Sequence, residues 1–338
     1  MIDTAYIKVG QTYKFFEKDF VYTDVKYGPK LFHDKIGPSE GNAVSQHSFE
    51  SFKKALSEAI ERRILMYPVI NLDKKFSFYD LVTGKKGMIV SSELGYSKYI
   101  DSTGVAAHTN PEKAIIHAIC ELIEKNALSR IWYKDDAINV TKIGWQPESP
   151  FNKETYFLLN DYFSPLIVVV SAYKDTDEMW HCGLGCVPYS LNDAKKAAFD
   201  EMKMIWFQNN VYKLFSNTNK YVSQQMQSTY YNWTDRQRKH LSFLLQHSKK
   251  KYSVLSRNKN INSLSRIILE LSKTVKHLNI VYLPSSLFKG ELSVVKCFSP
   301  NLISHVPNKE IYKDKLRNND YNFIDYADVT DSINCPIL

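Results

Sequence analysis

Three stretches of the 338-residue sequence place an alanine three residues before a glutamate: Ala55 and Glu58 in KALSEAIER, Ala118 and Glu121 in HAICELIEK, Ala198 and Glu201 in AAFDEMKMI. The first two add a second acid three residues on, Glu61 and Glu124, each followed by a base, Arg62 or Lys125. If each stretch is a helix, residues three apart share one face. The small alanine one turn before the acid then leaves room for a bulky ligand or a second helix. Three such helices meeting would gather five carboxylates: Glu58, Glu61, Glu121, Glu124 and Glu201. Unpaired, they could not all stay ionised. A hard cation resolves this, because Mg2+ takes oxygen ligands, keeps some of its waters and bridges carboxylates to phosphates. A plainer alternative stays open at this level, since Glu is a strong helix former and E-x-x-E-R also suits a solvated face.

The elements that must position these acids are legible around them. A helix is expected over about residues 49–66, stopped by Pro68. A second runs from Pro111, suited to a first helical turn, to Tyr133. In it Ile115, Ile116, Ile119, Leu122 and Ile123 make an apolar stripe, and His117, Glu121 and Glu124 fall on another side. Ser190 or Asn192 can cap the third helix, which runs to about residue 215. PLIVVVSAY at 165–173 reads as a buried strand by length and β-branching, and WHCGLGCV at 180–187 as another. Residues 69–100 read as short strands around the turn TGKKG, and NIVYLP with ELSVVKCF as a pair around a KG turn. Residues 1–45 mix strand-like stretches with turn signals, and residues 302–338 read as polar and irregular. No low-complexity linker divides the chain, so the expected fold is mixed α/β in one composite domain.

With 44% hydrophobic residues the chain has ample core for a large domain. No apolar run approaches the roughly 18 residues a membrane span needs, and MIDTAYIKVGQTYKFFEKDF lacks an export pattern, so a cytoplasmic protein is expected. Cys120, Cys182, Cys186, Cys297 and Cys335 are odd in number and form no CxxC pair. That disfavours a disulfide scaffold or a four-cysteine zinc site and suits a reducing compartment. There is neither a GxxxxGK[ST] loop nor a GxGxxG, so any nucleotide would be held through metal instead of a glycine-rich cradle. The net charge of +8 is concentrated: between Asn232 and Leu278 eleven Lys or Arg stand against Asp235 and Glu270. This basic, helical segment at 232–278 reads as a solvated face or as a docking face for an acidic partner. Few aromatics interleave it, which disfavours nucleic acid.

STGVAAHTN at 102–110, followed by A-x-x-H-A-I-C-E-L-I-E-K-N-A, resembles the signature of the YcaO family, S-x-G-x-A-x-G-N-T, then E-A, then x-x-E-x-x-E-R. ALSEAIERR at 55–63 resembles that family's upstream helix, GLGCVPYSLNDAKKAAFDEM at 183–202 its third motif, and LSVVKCFSPNLISHVP at 292–307 its late strand. The resemblance implies a YcaO-like fold, with mixed sheets and glutamate-bearing helices around a site for ATP and Mg2+. Residues 46–338 would form that domain, with 1–45 as an N-terminal extension packed on it. It implies ATP-dependent O-phosphorylation of a peptide backbone amide, after which a Cys, Ser or Thr side chain closes an azoline ring and phosphate leaves. Other members make thioamides or amidines. An amide oxygen is a poor leaving group until phosphorylated, and Mg2+ offsets charge during the transfer.

Position by position, the resemblance assigns Glu58, Glu61, Glu121, Glu124 and Glu201 to metal. It assigns Arg62, Ala106, Thr109, Asn110, Lys113, His117 and Lys125 to ATP, and no residue to a catalytic role. His108 could also approach the triphosphate, although both histidines have ordinary surface readings, and Cys120 reads as a buried, inert thiol. The chain departs from the pattern in several places. Lys54 and Ala106 stand where Ser is usual, Thr109 where Asn is, and Lys125 where Arg supplies a bidentate fork. Lys113 stands where an acidic ligand is common, Ala197 where a base is, and Met204 where Gln is. Two readings follow: an active, divergent enzyme, or a non-catalytic scaffold. The implied partners are a ribosomally made precursor peptide, a separate leader-binding protein related to ubiquitin-activating enzymes, and a flavin dehydrogenase, in a homo- or hetero-oligomer.

Overall fold

The computed structural model describes residues 5–15, 18–27, 31–32, 35–36, 40–65, 74–94, 102–139, 155–175, 178–216, 233–248, 263–284, 291–319 and 321–337. The first elements are β1 (Ala5–Phe15), β2 (Lys18–Tyr27), β3 (Leu31–Phe32), β4 (Lys35–Ile36), β5 (Glu40–Ser45), α1 (Ser48–Leu65), β6 (Lys75–Asp80), β7 (Lys86–Val90), β8 (Val105–His108) and α2 (Pro111–Tyr133). Next come β9 (Ile138–Asn139), β10 (Thr155–Asn160), β11 (Leu166–Lys174), β12 (Trp180–Pro188), α3 (Leu191–Ser216), α4 (Asp235–His247) and α5 (Leu264–Leu271). The last are β13 (Asn279–Leu283), β14 (Ser293–Phe298), α6 (Lys309–Asn318) and α7 (Tyr326–Asp331). They fall into two units, Met1–Lys125 with Ile261–Val306, and Asn126–Asn260 with Pro307–Leu338. The boundary falls within α2.

In the first unit β1, β2 and β5 form an antiparallel sheet in that order, leaving β5 at an edge. Helix α1 packs on it. Its buried Ser51 hydroxyl lies 2.9 Å from the carbonyl oxygens of both Val21 and Ala43, so this polar group is satisfied inside the contact. A second antiparallel sheet runs in the order β7-β6-β13-β14-β8, with β8 at its edge. Strand β6 alternates outward and inward residues along KFSFYD, as a sheet with one buried face requires. Phe76, Ile89, Val105, Ala107, Val281, Leu283 and Val294 of this sheet join Ala55, Ala59, Ile60 and Ile64 of α1 in one apolar cluster. Each large aliphatic side chain buried there contributes about 1.5–3 kcal/mol.

The end of β6 is pinned by one carboxylate. Asp80 accepts the Val82 and Leu278 amides at 3.0 and 3.1 Å and the Thr83 hydroxyl at 2.7 Å, and it faces His277 Nδ1 at 2.8 Å. Burial works to raise its pKa, yet the bonds from Thr83, His277, Leu278 and Val82 prevail and hold it well below the usual carboxylate range.

In the second unit the order is β12-β11-β10-β9, all antiparallel, with β12 at an edge. Helix α3 lies on β11 and β12, and the Ser171 hydroxyl donates to the Ala198 carbonyl at 2.7 Å. Ser190 starts α3 by accepting the Asp193 amide at 3.2 Å, which settles the choice between Ser190 and Asn192. Helix α4 opens on a capping box between Thr234 and Gln237. It is tied to α2 by His240 Nε2, 2.7 Å from the Trp132 carbonyl, and by the edge-on contact of Trp132 with buried Trp233.

The fold is the mixed α/β one expected, and α2 spans the expected residues. One expectation fails. The stretch 302–338 is not irregular throughout: it carries α6, capped by the Asn308 side chain, and α7, opened by an Asp325–Asp328 capping box. Pro68, the KG turn and residues 249–262 of the basic segment lie outside the described residues; within that segment α4 and α5 are helical. Among the described residues no helix is long and apolar enough to cross a membrane.

Candidate active site

Four of the five glutamates take a backbone N–H from an edge strand or the turn into it. In the first unit the Asn42 amide of β5 donates to Glu58 Oε2 at 2.6 Å. The Ala107 amide of β8 donates to Glu61 Oε1 at 2.7 Å. The amides of Gly104 and Val105 donate to Glu121 Oε2 at 3.1 and 3.0 Å. In the second unit the Leu184 amide of β12 donates to Glu201. The spacing repeats: 16 residues separate Asn42 from Glu58 and Val105 from Glu121, and 17 separate Leu184 from Glu201.

The alanine of each motif is fully buried, and a glycine precedes the donors Asn42, Val105 and Leu184. A Cβ on Gly41 would collide with the Ala55 carbonyl and the Ala59 amide, and one on Gly183 with the Ala198 carbonyl and the Met202 amide. The room made by Ala55 and Ala198 is therefore filled by a strand backbone, not by the ligand or second helix expected. The recurrence is a strand–helix staple, and the glutamate is its clasp.

The clasp leaves oxygens over. Oε2 of Glu61 and Oε1 of Glu121 accept no hydrogen bond among the described residues. Both side chains are half-buried. The protein closing around Glu61, with Glu58 beside it, pushes its carboxyl up to about 8, against the Ala107 bond and Arg62. Glu121 is raised well above the ordinary value, first by desolvation and then by Glu61, although Lys125 and Lys296 pull it down. Glu58 is raised by desolvation too, opposed by Arg62 and by the Asn42 amide. Its other oxygen pairs with Arg62 at 2.6 Å, and Glu124 pairs with Lys125 at 3.1 Å.

The residues assigned to ATP are less concentrated. Ala106 is buried in β8. Asn110 caps α2, its Oδ1 accepting the Lys113 amide at 3.1 Å, while its own amide donates to His108 Nδ1 at 2.8 Å. Thr109 and Lys113 are exposed. His108 and His117 meet edge-on, ring centroids 5.7 Å apart. Both are held below the ordinary imidazole value, first by the surrounding protein and then by neighbouring positive charge, Lys113 for His108 and His108 itself for His117. Cys120 is a buried free thiol, as expected. Glu201 lies in the second unit and the other four glutamates in the first.

Two groups escaped the sequence reading. The strand amides carry no side-chain signal at all. Lys296, 1% exposed on β14, was hidden in an apolar run, and a lone lysine inside ELSVVKCF was the available cue.

The fold and these contacts can now be set beside known proteins. The sequence profile of the YcaO cyclodehydratases, described as binding ATP and Mg2+, matches residues 77–303. The chain belongs to the YcaO family. Helix α1, with Glu58 and Glu61, precedes the matched stretch. A search among curated proteins finds no sequence match. Among solved structures, YcaO from Methanopyrus kandleri bound with AMPPCP and Mg2+ is similar at a TM-score of 0.63 and 13% identity, covering 92% of this chain and 87% of that one. A chain of the E. coli microcin synthetase McbBCD complex with pro-MccB17 bound is similar at 0.68 and 13% identity, covering 99% and 96%. A heterocyclase in complex with substrate and cofactor reaches 0.58 at 15% identity, over 84% of this chain and 48% of that one. At these identities the structures speak for the fold.

The carboxylates fit the Mg2+ of the YcaO description by the chemistry of their donors. Hard oxygens with unspent lone pairs lie together, raised first by burial and then by neighbouring carboxylates. Among the described residues no group of three or more His, Cys, Asp or Glu is placed to hold a metal ion by itself. Mg2+ does not need one, since it is commonly held by one or two carboxylates, its own waters and substrate phosphates.

Proposed function

We propose that this chain is the ATP- and Mg2+-dependent amide-activating subunit of a peptide azoline synthetase. The observation that carries the reading is the pair Glu61 and Glu121, half-buried, both raised by burial and Glu121 further by Glu61, each with one oxygen anchored at β8 or the turn into it and one unspent. Two acids so placed raise the cost of the empty site, and a divalent cation removes it. Glu58 and Glu124 stand beside them, and the resemblance adds Glu201.

When bound, Mg2+ offsets the charge of the triphosphate and makes its terminal phosphorus open to an amide oxygen. The residues of this chain hold and orient. Glu61 and Glu121, each fixed at one oxygen by backbone amides, would hold the cation. Lys113, Thr109, Asn110, His117, Arg62 and Lys125 would meet the nucleotide, and His117, held below its usual value, would do so as a neutral imidazole. The neighbours support a peptide substrate, since the microcin synthetase is described with pro-MccB17 and as a multi-protein complex. In this reading a thiol or hydroxyl of the precursor peptide attacks the activated amide carbon, and the former amide oxygen departs with phosphate. A leader-binding chain and a flavin dehydrogenase would complete the assembly.

One observation favours a second reading, a non-catalytic scaffold. Arg62 and Lys125, the bases expected at the nucleotide, already pair with Glu58 and Glu124. ADP release separates the two readings. With a Cys- and Ser-containing precursor peptide and its leader-binding partner, the chain should release ADP only when Mg2+ and peptide are both present. Glu121→Gln should abolish that release, and an unchanged rate would remove Glu121 from the site.

A further inference from the structure

Glu121 shares its strand anchor with a buried lysine. Residues 103–105 lead into β8, and Gly104 has φ +79°, a conformation that a side chain would strain. A Cβ there would also stand 2.5 Å from the Cys297 carbonyl. The carbonyls of this tripeptide go to β14: that of Gly104 accepts the Cys297 amide at 2.7 Å, and that of Thr103 accepts Lys296 Nζ at 2.5 Å. Its amides at 104 and 105 go to Glu121 Oε2. The Lys296 charge also acts directly on the Glu121 carboxylate.

A buried cation is expensive unless its charge and its donors are used. The sheet itself does not require this one. Residues 293–296 of β14 pair along their length with β8, and Val294, Val295 and Cys297 fill the neighbouring buried positions. What Lys296 adds to β14 is a tether to the peptide that holds Glu121.

We infer that Lys296 is a positioning residue for the cation site, fixing Glu121 through the Thr103 carbonyl and through its own charge. The inference rests on the Mg2+ reading of Glu61 and Glu121 given above. Outer partners that orient metal ligands are typically worth about 10- to 100-fold in metal affinity.

The test uses the full chain, with Mg2+ and AMPPCP as the probe. Lys296→Met keeps the length of the stem and removes the charge and the donor, while Lys296→Arg retains both. Calorimetry should show Mg2+–AMPPCP binding weakened about 10- to 100-fold in Lys296→Met, with part of the loss recovered in Lys296→Arg. The ligand-free melting temperature of Lys296→Met should fall by a few degrees, because the buried Thr103 carbonyl loses its donor, so binding is read on the folded variant. Folded Lys296→Met that binds as tightly as the unmodified chain overturns the inference. If Lys296→Met does not fold, Lys296→Gln is read on the same criterion. If neither folds, the lysine is a core residue only and the inference falls. An unmodified chain that binds no Mg2+–AMPPCP overturns the Mg2+ reading itself, and this inference with it.

Discussion

Glu61 and Asp80 are both carboxylates that accept backbone amides, yet their surroundings drive them in opposite directions. Asp80 gathers four hydrogen-bonding partners and sits well below the usual range, so its ionised form stabilises the fold. With a depressed folded value, that stability is fully present above the unfolded value of about 4 and is lost progressively as pH falls from there through the lower folded value. Asp80→Asn should therefore cost about 1.5–3 kcal/mol at pH 7, read by urea unfolding, and the gap from the unmodified chain should narrow toward pH 3. A gap that is the same at both pH values would mean that charge is not what matters at Asp80. Glu61, with one amide and an acidic neighbour, is raised to about 8 and cannot be explained as a stabilising clasp alone. The sequence made the acids visible through their types and their spacing. It could not make Lys296 or the amides of residues 104, 105 and 107 visible, because burial and backbone direction are properties of the folded sheet.

At the scale of elements, the same device appears twice in full: an edge strand with a glycine, a helix that closes on it through a buried alanine, and a glutamate that takes the next strand amide. At α2 the glutamate clasp recurs, but Gly104 lies against the Cys297 carbonyl. The device makes Gly183 as important as Glu201. Gly183→Ala would drive a methyl group into the Ala198 carbonyl and the Met202 amide, both backbone atoms that cannot swing aside. It should destabilise the chain by about 3 kcal/mol, seen as a lower melting temperature. Ser171→Ala, which removes only the hydroxyl on the Ala198 carbonyl, should cost about 1 kcal/mol. Equal effects from the two would argue against close approach as the reason for the glycine. The helices and paired strands were legible because their apolar periods are long and regular. Helices α6 and α7 were not: they are short and polar, and in α6 only Ile311 and Tyr312 are buried, too few to set a period. Their start signals, Asn308 and Asp325, are side-chain caps that a reading by apolar period passes over.

On the scale of the whole molecule, the family was legible because four motifs recur in order, and the mixed α/β architecture follows them. The substitutions within the motifs are where two functions diverge, since Lys113, Ala197 and Met204 alter groups expected at the nucleotide while the carboxylates persist. An enzyme and a scaffold share this fold and differ in one property, whether the carboxylates hold a metal-bound triphosphate. Titration of Mg2+–AMPPCP into the unmodified chain and into Glu121→Gln, followed by calorimetry, measures that property directly. The account predicts saturable binding to the unmodified chain that requires Mg2+ and is lost in Glu121→Gln. No heat of binding to the unmodified chain, or the same affinity in the variant, would contradict it.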